Sequence, residues 1–235
     1  MINLFYRQPV CIICENRIHK SHTHVMANRL CICKSCYNKL YRIPIPSQGT
    51  KHTKYVLSPF YYKGGYREAI LKYKFSGSHA YALVFAKLMS DFIKDIDDIC
   101  TADMIVAVPI SQERLNERGF NQTQLILDCM KDELSLNYRQ DVLIRSKDTE
   151  HQSRLSGYER FKNVNDAFLV SGDVKNMRIV VFDDVYTTGN TMEACAKALI
   201  DAGAKEVIAL TLAEVVQKSN DTGAEVILYH SKKEK

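Results

Sequence analysis

No stretch of this 235-residue chain is apolar for long enough to cross a membrane. The longest apolar run, around Ile105 to Ile110, covers about six residues, against the roughly twenty that a spanning helix requires. The first ten residues lack a charged segment followed by an apolar core, so no secretory leader is expected. With 10 glycines, 5 prolines, 46% apolar and 25% charged residues, the composition excludes a collagen-like repeat, a coiled coil and a disordered chain. In the absence of an export signal, the 8 cysteines are expected to be thiols or metal ligands in a reducing compartment. A cytoplasmic protein is the expectation.

Acidic residues are nearly missing from the first third. Residues 1–80 hold 13 Lys and Arg against Glu15 and Glu68, a balance of +11, whereas residues 81–235 carry −6. Nine of the 13 tyrosines also fall within the first 81 residues. Basic groups neutralise phosphates, and aromatic rings stack on unpaired bases at roughly 1–3 kcal/mol each. The segment is therefore a candidate for nucleic-acid contact. The alternative is solvated lysines around a small tyrosine-packed core.

Cys11 and Cys14 are followed, after an 18-residue spacer, by Cys33 and Cys36. Two thiolates three positions apart in a tight turn offer two corners of a tetrahedron, and a second such turn supplies the other two. A structural Zn2+ held by Cys11, Cys14, Cys33 and Cys36 is expected, with Cys31 as the alternative to Cys33. His19, His22 and His24 lie in the spacer and are expected to face solvent. Cys100, Cys129 and Cys195 stand alone in apolar helical surroundings and are expected to be small core residues.

Pro44, Pro46, Ser47 and Gly49 mark a boundary. The expected organisation is a zinc-ribbon-like module over 1–46, a basic connecting strand and helix over 47–78, and an α/β domain over 79–235. Within the connector, 55–62 alternates like a strand. Residues 66–75 have helical spacing, with Ile70 and Leu71 inward and Arg67, Lys72 and Lys74 outward as nucleic-acid contacts. From residue 79, helical segments (80–96, 122–134, 191–202) alternate with short apolar runs (104–109, 168–170, 179–182, 206–212). That alternation predicts a parallel sheet with helices on both faces.

The most informative segment is 179–191. A buried strand ends in Asp183 and Asp184, then Thr187, Thr188, Gly189, Asn190 and Thr191 open a helix. Unpaired N–H groups and the dipole at a helix N-terminus attract phosphate. Gly189 allows close approach, and the threonine hydroxyls add donors. Carboxylates at a strand's carboxyl end accept hydrogen bonds from sugar hydroxyls, directly or through hydrated Mg2+. After the first strand of the domain come Arg114 and Arg118, whose guanidinium forks suit pyrophosphate; Glu113 and Glu117 are alternative partners for them. Between 148 and 163 lies a polar stretch with Arg154 and Arg160. It is expected to be either a lid over pyrophosphate or a plain surface loop.

The D-D-x-x-T-T-G-x-T segment resembles the phosphoribosyl-pyrophosphate (PRPP) signature of type I phosphoribosyltransferases. That resemblance implies Asp183 and Asp184 at the ribose hydroxyls and residues 187–191 around the 5′-phosphate. The string Arg118-Gly-Phe-Asn-Gln122, the cysteine module, the 71–75 helix end and Gln152, Arg160 and Asn163 resemble the ComF-type competence proteins over nearly the whole chain. The resemblance implies PRPP and Mg2+ as ligands and single-stranded DNA as a partner. It also implies a role in DNA uptake and natural transformation beside machinery at the inner face of the membrane. A transferase of unknown acceptor, a non-catalytic PRPP sensor and a plain nucleic-acid-binding protein are the competing expectations.

Overall fold

In the computed structural model, residues 8–76, 78–131, 137–145 and 167–216 are described. The cysteine module is a small sheet of β1 (Val10–Cys11), β2 (Thr23–Ala27) and β3 (Leu30–Cys33), in the order β1-β3-β2, closed by helix α1 (Lys34–Asn38). Next come β4 (Ser47–Gln48), β5 (Tyr55–Leu57), β6 (Phe60–Tyr61) and the helices α2 (Gly64–Ser76), α3 (His79–Ile93) and α4 (Asp97–Cys100). Strand β7 (Met104–Ala107) is followed by α5 (Gln112–Arg118) and α6 (Gln122–Met130). The strands β8 (Leu143–Arg145), β9 (Phe168–Val170) and β10 (Arg178–Tyr186), helix α7 (Asn190–Asp201) and strand β11 (Glu206–Glu214) complete the described chain.

The main sheet runs β4-β5-β11-β10-β7, with β6 also paired to β11. All its pairings are parallel except that of β4 with β5. Both faces are covered, which is why its strands are nearly continuous apolar runs. Val180, Phe182, Ile208 and Leu210 face a core shared with α2, α3 and α6, while Ile179, Val181, Val207 and Ala209 face Met192, Cys195 and Leu199 of α7.

The expected parallel sheet is therefore present, but residues 47–61 also contribute to it. The strand expected over 55–62 is broken at Ser58 and Pro59, where proline cannot donate to a ladder. The two pieces pair separately along β11, at Ala209–Leu210 and Ala213–Glu214. A second difference is that Phe168–Val170 leaves the main sheet to pair antiparallel with Leu143–Arg145. Each of these strands buries one face only, with Ile144 and Leu169 turned to solvent, and a central parallel strand needs both faces apolar. Among the three solitary cysteines, Cys195 is buried and Cys129 half-buried, but Cys100 is exposed at the end of α4. The buried position of α4 is Ile99, and Cys100, one residue on, is turned about 100° away from it, so the expectation of a core residue is corrected there.

Many of the tyrosines are core residues. The rings of Tyr37, Phe60, Tyr66, Phe85, Tyr73 and Phe120 form a chain with centroids 5.1–6.0 Å apart, leading from α1 through α2 and α3 to the start of α6. Tyr66 and Tyr73 are fully buried, and their hydroxyls donate to the carbonyls of Leu212 (3.1 Å) and Gln122 (2.8 Å). These hydrogen bonds offset the cost of taking the two hydroxyls out of water. The cysteine module joins this core through Ile12, Val25 and Ile32. Among the described residues, no helix is long and apolar enough to cross a membrane.

Candidate active site

Strand β10 carries its apolar run as far as Phe182 and then delivers Asp183 and Asp184 at the carboxyl end of the sheet. The Asp183 carboxylate accepts the Asp184 N–H at 2.8 Å. Burial, reinforced by the charge of Asp184, pushes the Asp183 carboxyl up to about 7. Beyond Tyr186 the chain turns through Thr187, Thr188 and Gly189 into α7, with Gly189 in the left-handed region at φ 78°. No side chain caps this helix start. A Cβ on Gly189 would sit 2.9 Å from Cζ of the buried Tyr186, closer still to its Oη, and 3.3 Å from Thr50 Cγ2. The cradle thus has room for backbone alone. It borders an open pocket of about 250 Å³ lined by Asp183, Val185, Tyr186, Thr187, Gly189, Thr191, Met192 and Thr211. Thr188, Asn190 and Asp184 stand outside this lining.

The segment before β5 packs beside the same turn. The N–H of His52 donates to Glu193 at 3.1 Å, and its Nδ1 lies 2.6 Å from the same carboxylate in the first turn of α7. Thr50 and Thr53 are bonded to each other at 2.8 Å beside Gly189. Nothing in the local sequence marked this staple, because it joins residues 141 positions apart.

Each position of the 118–122 string has a definable role. Arg118 Nη1 donates to Gln122 Oε1 at 3.0 Å, and Gly119 ends α5 at φ 77°. Phe120 packs on Tyr73. Asn121 caps α6 by accepting the N–H groups of Thr123 and Gln124, and its amide donates to the Val108 carbonyl at 3.0 Å. The turn therefore fastens α5 to the end of β7. Arg118 is half-buried with its guanidinium over the exposed Phe75 ring at 5.6 Å, and Arg114 is exposed. Arg114 is close enough to draw Asp183 downward electrostatically, and Arg118 feels Asp184. Arg154 and Arg160, with Gln152 and Asn163, lie outside the described residues.

Lys74 is the correction. Its ammonium lies 2.9 Å from Asp184 Oδ1, and the two side chains are only 18% and 14% exposed. It faces the acid pair rather than open solvent, because it follows Ile70 by four positions and Tyr73 by one on the inward side of α2. Lys72 and Arg67 do point outward, where they pair with Glu15 and Glu68.

In the N-terminal module, the sulfurs of Cys11, Cys14, Cys33 and Cys36 all lie within 4.8 Å of one another. A tetrahedral Zn2+ with arms of about 2.3 Å spaces its sulfurs by roughly 3.8 Å, so the four thiols fit that ion. Backbone N–H groups of Cys33 and Cys36 donate to the sulfurs of Cys11 and Cys33, each at 3.4 Å, as thiolates require. Cys31 is buried outside this group, and burial with the neighbouring thiolates pushes its thiol up to about 12. His19 is engaged with Ser21 instead, at 2.8 Å.

Residues 124–230 match the family model of the phosphoribosyl transferase domain. Over 223 residues the chain is 28% identical to competence protein ComFC of Bacillus subtilis (strain 168), covering 89% of this chain and 87% of that one. Competence protein ComFC of Streptococcus pneumoniae (strain ATCC BAA-255 / R6) is 28% identical over 153 residues, 65% of each chain. DNA utilization protein YhgH of Escherichia coli (strain K12) is 35% identical over 105 residues, 45% of this chain and 46% of that one. The matched region thus spans just under two thirds of the pneumococcal protein and about half of YhgH.

Proposed function

We propose that this chain, a homologue of ComFC and YhgH with a phosphoribosyl transferase domain, binds PRPP and transfers its ribose 5-phosphate to an acceptor nucleophile. The observation that carries this is the junction of β10 and α7: two carboxylates, then a cradle that admits only glycine, opening on an uncapped helix start. The N–H groups at 189–191 and the hydroxyls of Thr187, Thr188 and Thr191 hold the 5′-phosphate. Asp183 and Asp184 accept the ribose hydroxyls. Arg114 and Arg118 face the pyrophosphate, and the departing charge is stabilised by groups fixed in advance. The C1–oxygen bond to pyrophosphate breaks as a bond from C1 to the acceptor forms. When bound, Mg2+ supplies further neutralisation of the pyrophosphate, with the acid pair as its protein neighbour. Calorimetric titration with PRPP and Mg2+ tests the site. Wild type should bind and Asp183→Ala plus Asp184→Ala should not, and absence of heat from wild type overturns the proposal. Pyrophosphate release with candidate acceptors separates a transferase from a sensor.

Zn2+ at Cys11, Cys14, Cys33 and Cys36 holds the N-terminal module in this reading, and the protein works in the cytoplasm. The names of the relatives, with the +11 balance of residues 1–80, support single-stranded DNA as a partner in uptake beside machinery at the inner membrane face. The exposed Tyr41 beneath Lys63 (4.8 Å) and the half-buried Tyr62 beneath Arg67 (5.7 Å) pair flat rings with cations, as base stacking and phosphate contact require. Anisotropy of a labelled oligonucleotide should show affinity falling steeply between about 50 and 200 mM salt. Arg67→Ala plus Lys72→Ala should weaken it roughly tenfold. Affinity unmoved by both changes removes the DNA partner.

A further inference from the structure

Helix α2 belongs to the N-terminal third, yet its last turn reaches into the candidate active site. Lys74 Nζ sits 2.9 Å from Asp184 Oδ1 in a setting that leaves each side chain less than a fifth exposed. Tyr73, one residue earlier, is locked by full burial and by its hydroxyl bond to the Gln122 carbonyl. The first turn of the same helix is fixed as well: a Cβ on Gly65 would lie 2.6 Å from Ile13 Cγ2 of the cysteine module. The lysine is therefore held in place by a rigid element, not by a flexible loop.

Arg114 and Arg118 add two more positive charges near the same carboxylates. Arg118 also feels Glu117, so three cations stand among three acids. With both carboxylates of the pair already offset by cations, the site offers a bare cation little net charge. Like charges a few ångströms apart in a half-buried site repel by amounts that matter for binding.

We propose that Lys74 is a positioning residue, the resident counter-ion of the acid pair, and that it keeps a lone divalent cation off Asp183 and Asp184. The cation then enters with the polyphosphate, whose negative charge draws the ammonium away from Asp184. This rests on the PRPP site proposed above, and it goes further by assigning an order of binding and a residue of the N-terminal third to that site.

The test is Mn2+ alone, counted by electron paramagnetic resonance at pH 8.5 on the full chain with its cysteine site already loaded with zinc. Wild type should bind Mn2+ weakly, and Lys74→Gln should bind it roughly tenfold or more tightly, the effect of removing one nearby like charge. Lys74→Arg, which keeps the charge, should restore weak binding. A merely structural role would not separate these two substitutions. Should Lys74→Gln fail to fold, Lys74→Met replaces it, with the same gain expected. Mn2+ affinity equal in wild type and the neutral variants overturns the proposal, as does tight Mn2+ binding by wild type. A parallel titration with PRPP keeps the two readings apart: if no form binds PRPP but the neutral variant still gains Mn2+, the substrate falls and the counter-ion role stands.

Discussion

Cys33→Ser will strip the metal from this protein and loosen its whole N-terminal third, whereas Cys31→Ser will keep one zinc per chain. The difference follows from which sulfurs converge. Cys33 shares a cluster with Cys11, Cys14 and Cys36, and Cys31 stands apart as a buried thiol. The module has almost no core of its own. Three buried cysteines and a few half-buried neighbours fill its interior, while Ile12, Val25 and Ile32 belong to the core shared with α2 and α3. Structural zinc contributes about 10–16 kcal/mol of apparent binding free energy in isolated fingers, comparable to the roughly 5–15 kcal/mol by which whole domains are stable. Stripping the metal costs the folded chain only the part of this standard-state figure that the free zinc concentration sets. At about 2–4 °C per kcal/mol for a chain of this size, a loss of some 3–5 kcal/mol lowers the midpoint by roughly 10–15 °C. Elemental analysis and calorimetry on the two variants check this. One zinc retained by Cys33→Ser, or lost from Cys31→Ser, contradicts the assignment.

What the sequence disclosed and what it hid divide along a physical line. The acid-tipped strand, the glycine turn and the helix after it were legible because all their parts lie within 179–191. The cysteine pairs were legible because metal geometry dictates short spacings. Cys33 over Cys31 was legible too, because Cys33 precedes Cys36 by three positions as Cys11 precedes Cys14, although both candidates lie two apart in β3, and the converging sulfurs agree. Lys74 was placed on the wrong side because lysine was expected to seek water. Its spacing from Ile70 carried the opposite message, and the energetic cost of burial is offset by Asp184. The contribution of residues 47–61 to the main sheet was hidden for a different reason. Two- and three-residue strands have too little periodicity to register, and their partner, β11, lies some 150 residues away.

Gly189→Ala should weaken PRPP binding about a hundredfold while leaving the fold intact. Two costs arise at once. An L-residue at φ 78° is strained by roughly 1–2 kcal/mol, and the new methyl meets the Tyr186 ring, with Cζ 2.9 Å away. Tyr186 is buried at the end of the strand that holds the acid pair, so it yields poorly, and the turn must move instead. A displacement near 1 Å in a positioning element costs on the order of a hundredfold. Stability should fall by only about 2–3 kcal/mol in total, roughly 5–10 °C in midpoint, because α7 keeps its packing through Met192, Cys195 and Leu199. Tyr186→Phe isolates the steric part. Alone it should bind PRPP almost as wild type does. Combined with Gly189→Ala it should recover part of the lost affinity by removing the oxygen nearest the methyl, with the backbone strain remaining. Titration calorimetry on the three variants measures this. Unchanged affinity in Gly189→Ala would mean that the phosphate is not held at this turn, and full recovery in the double variant would mean that backbone strain contributes nothing.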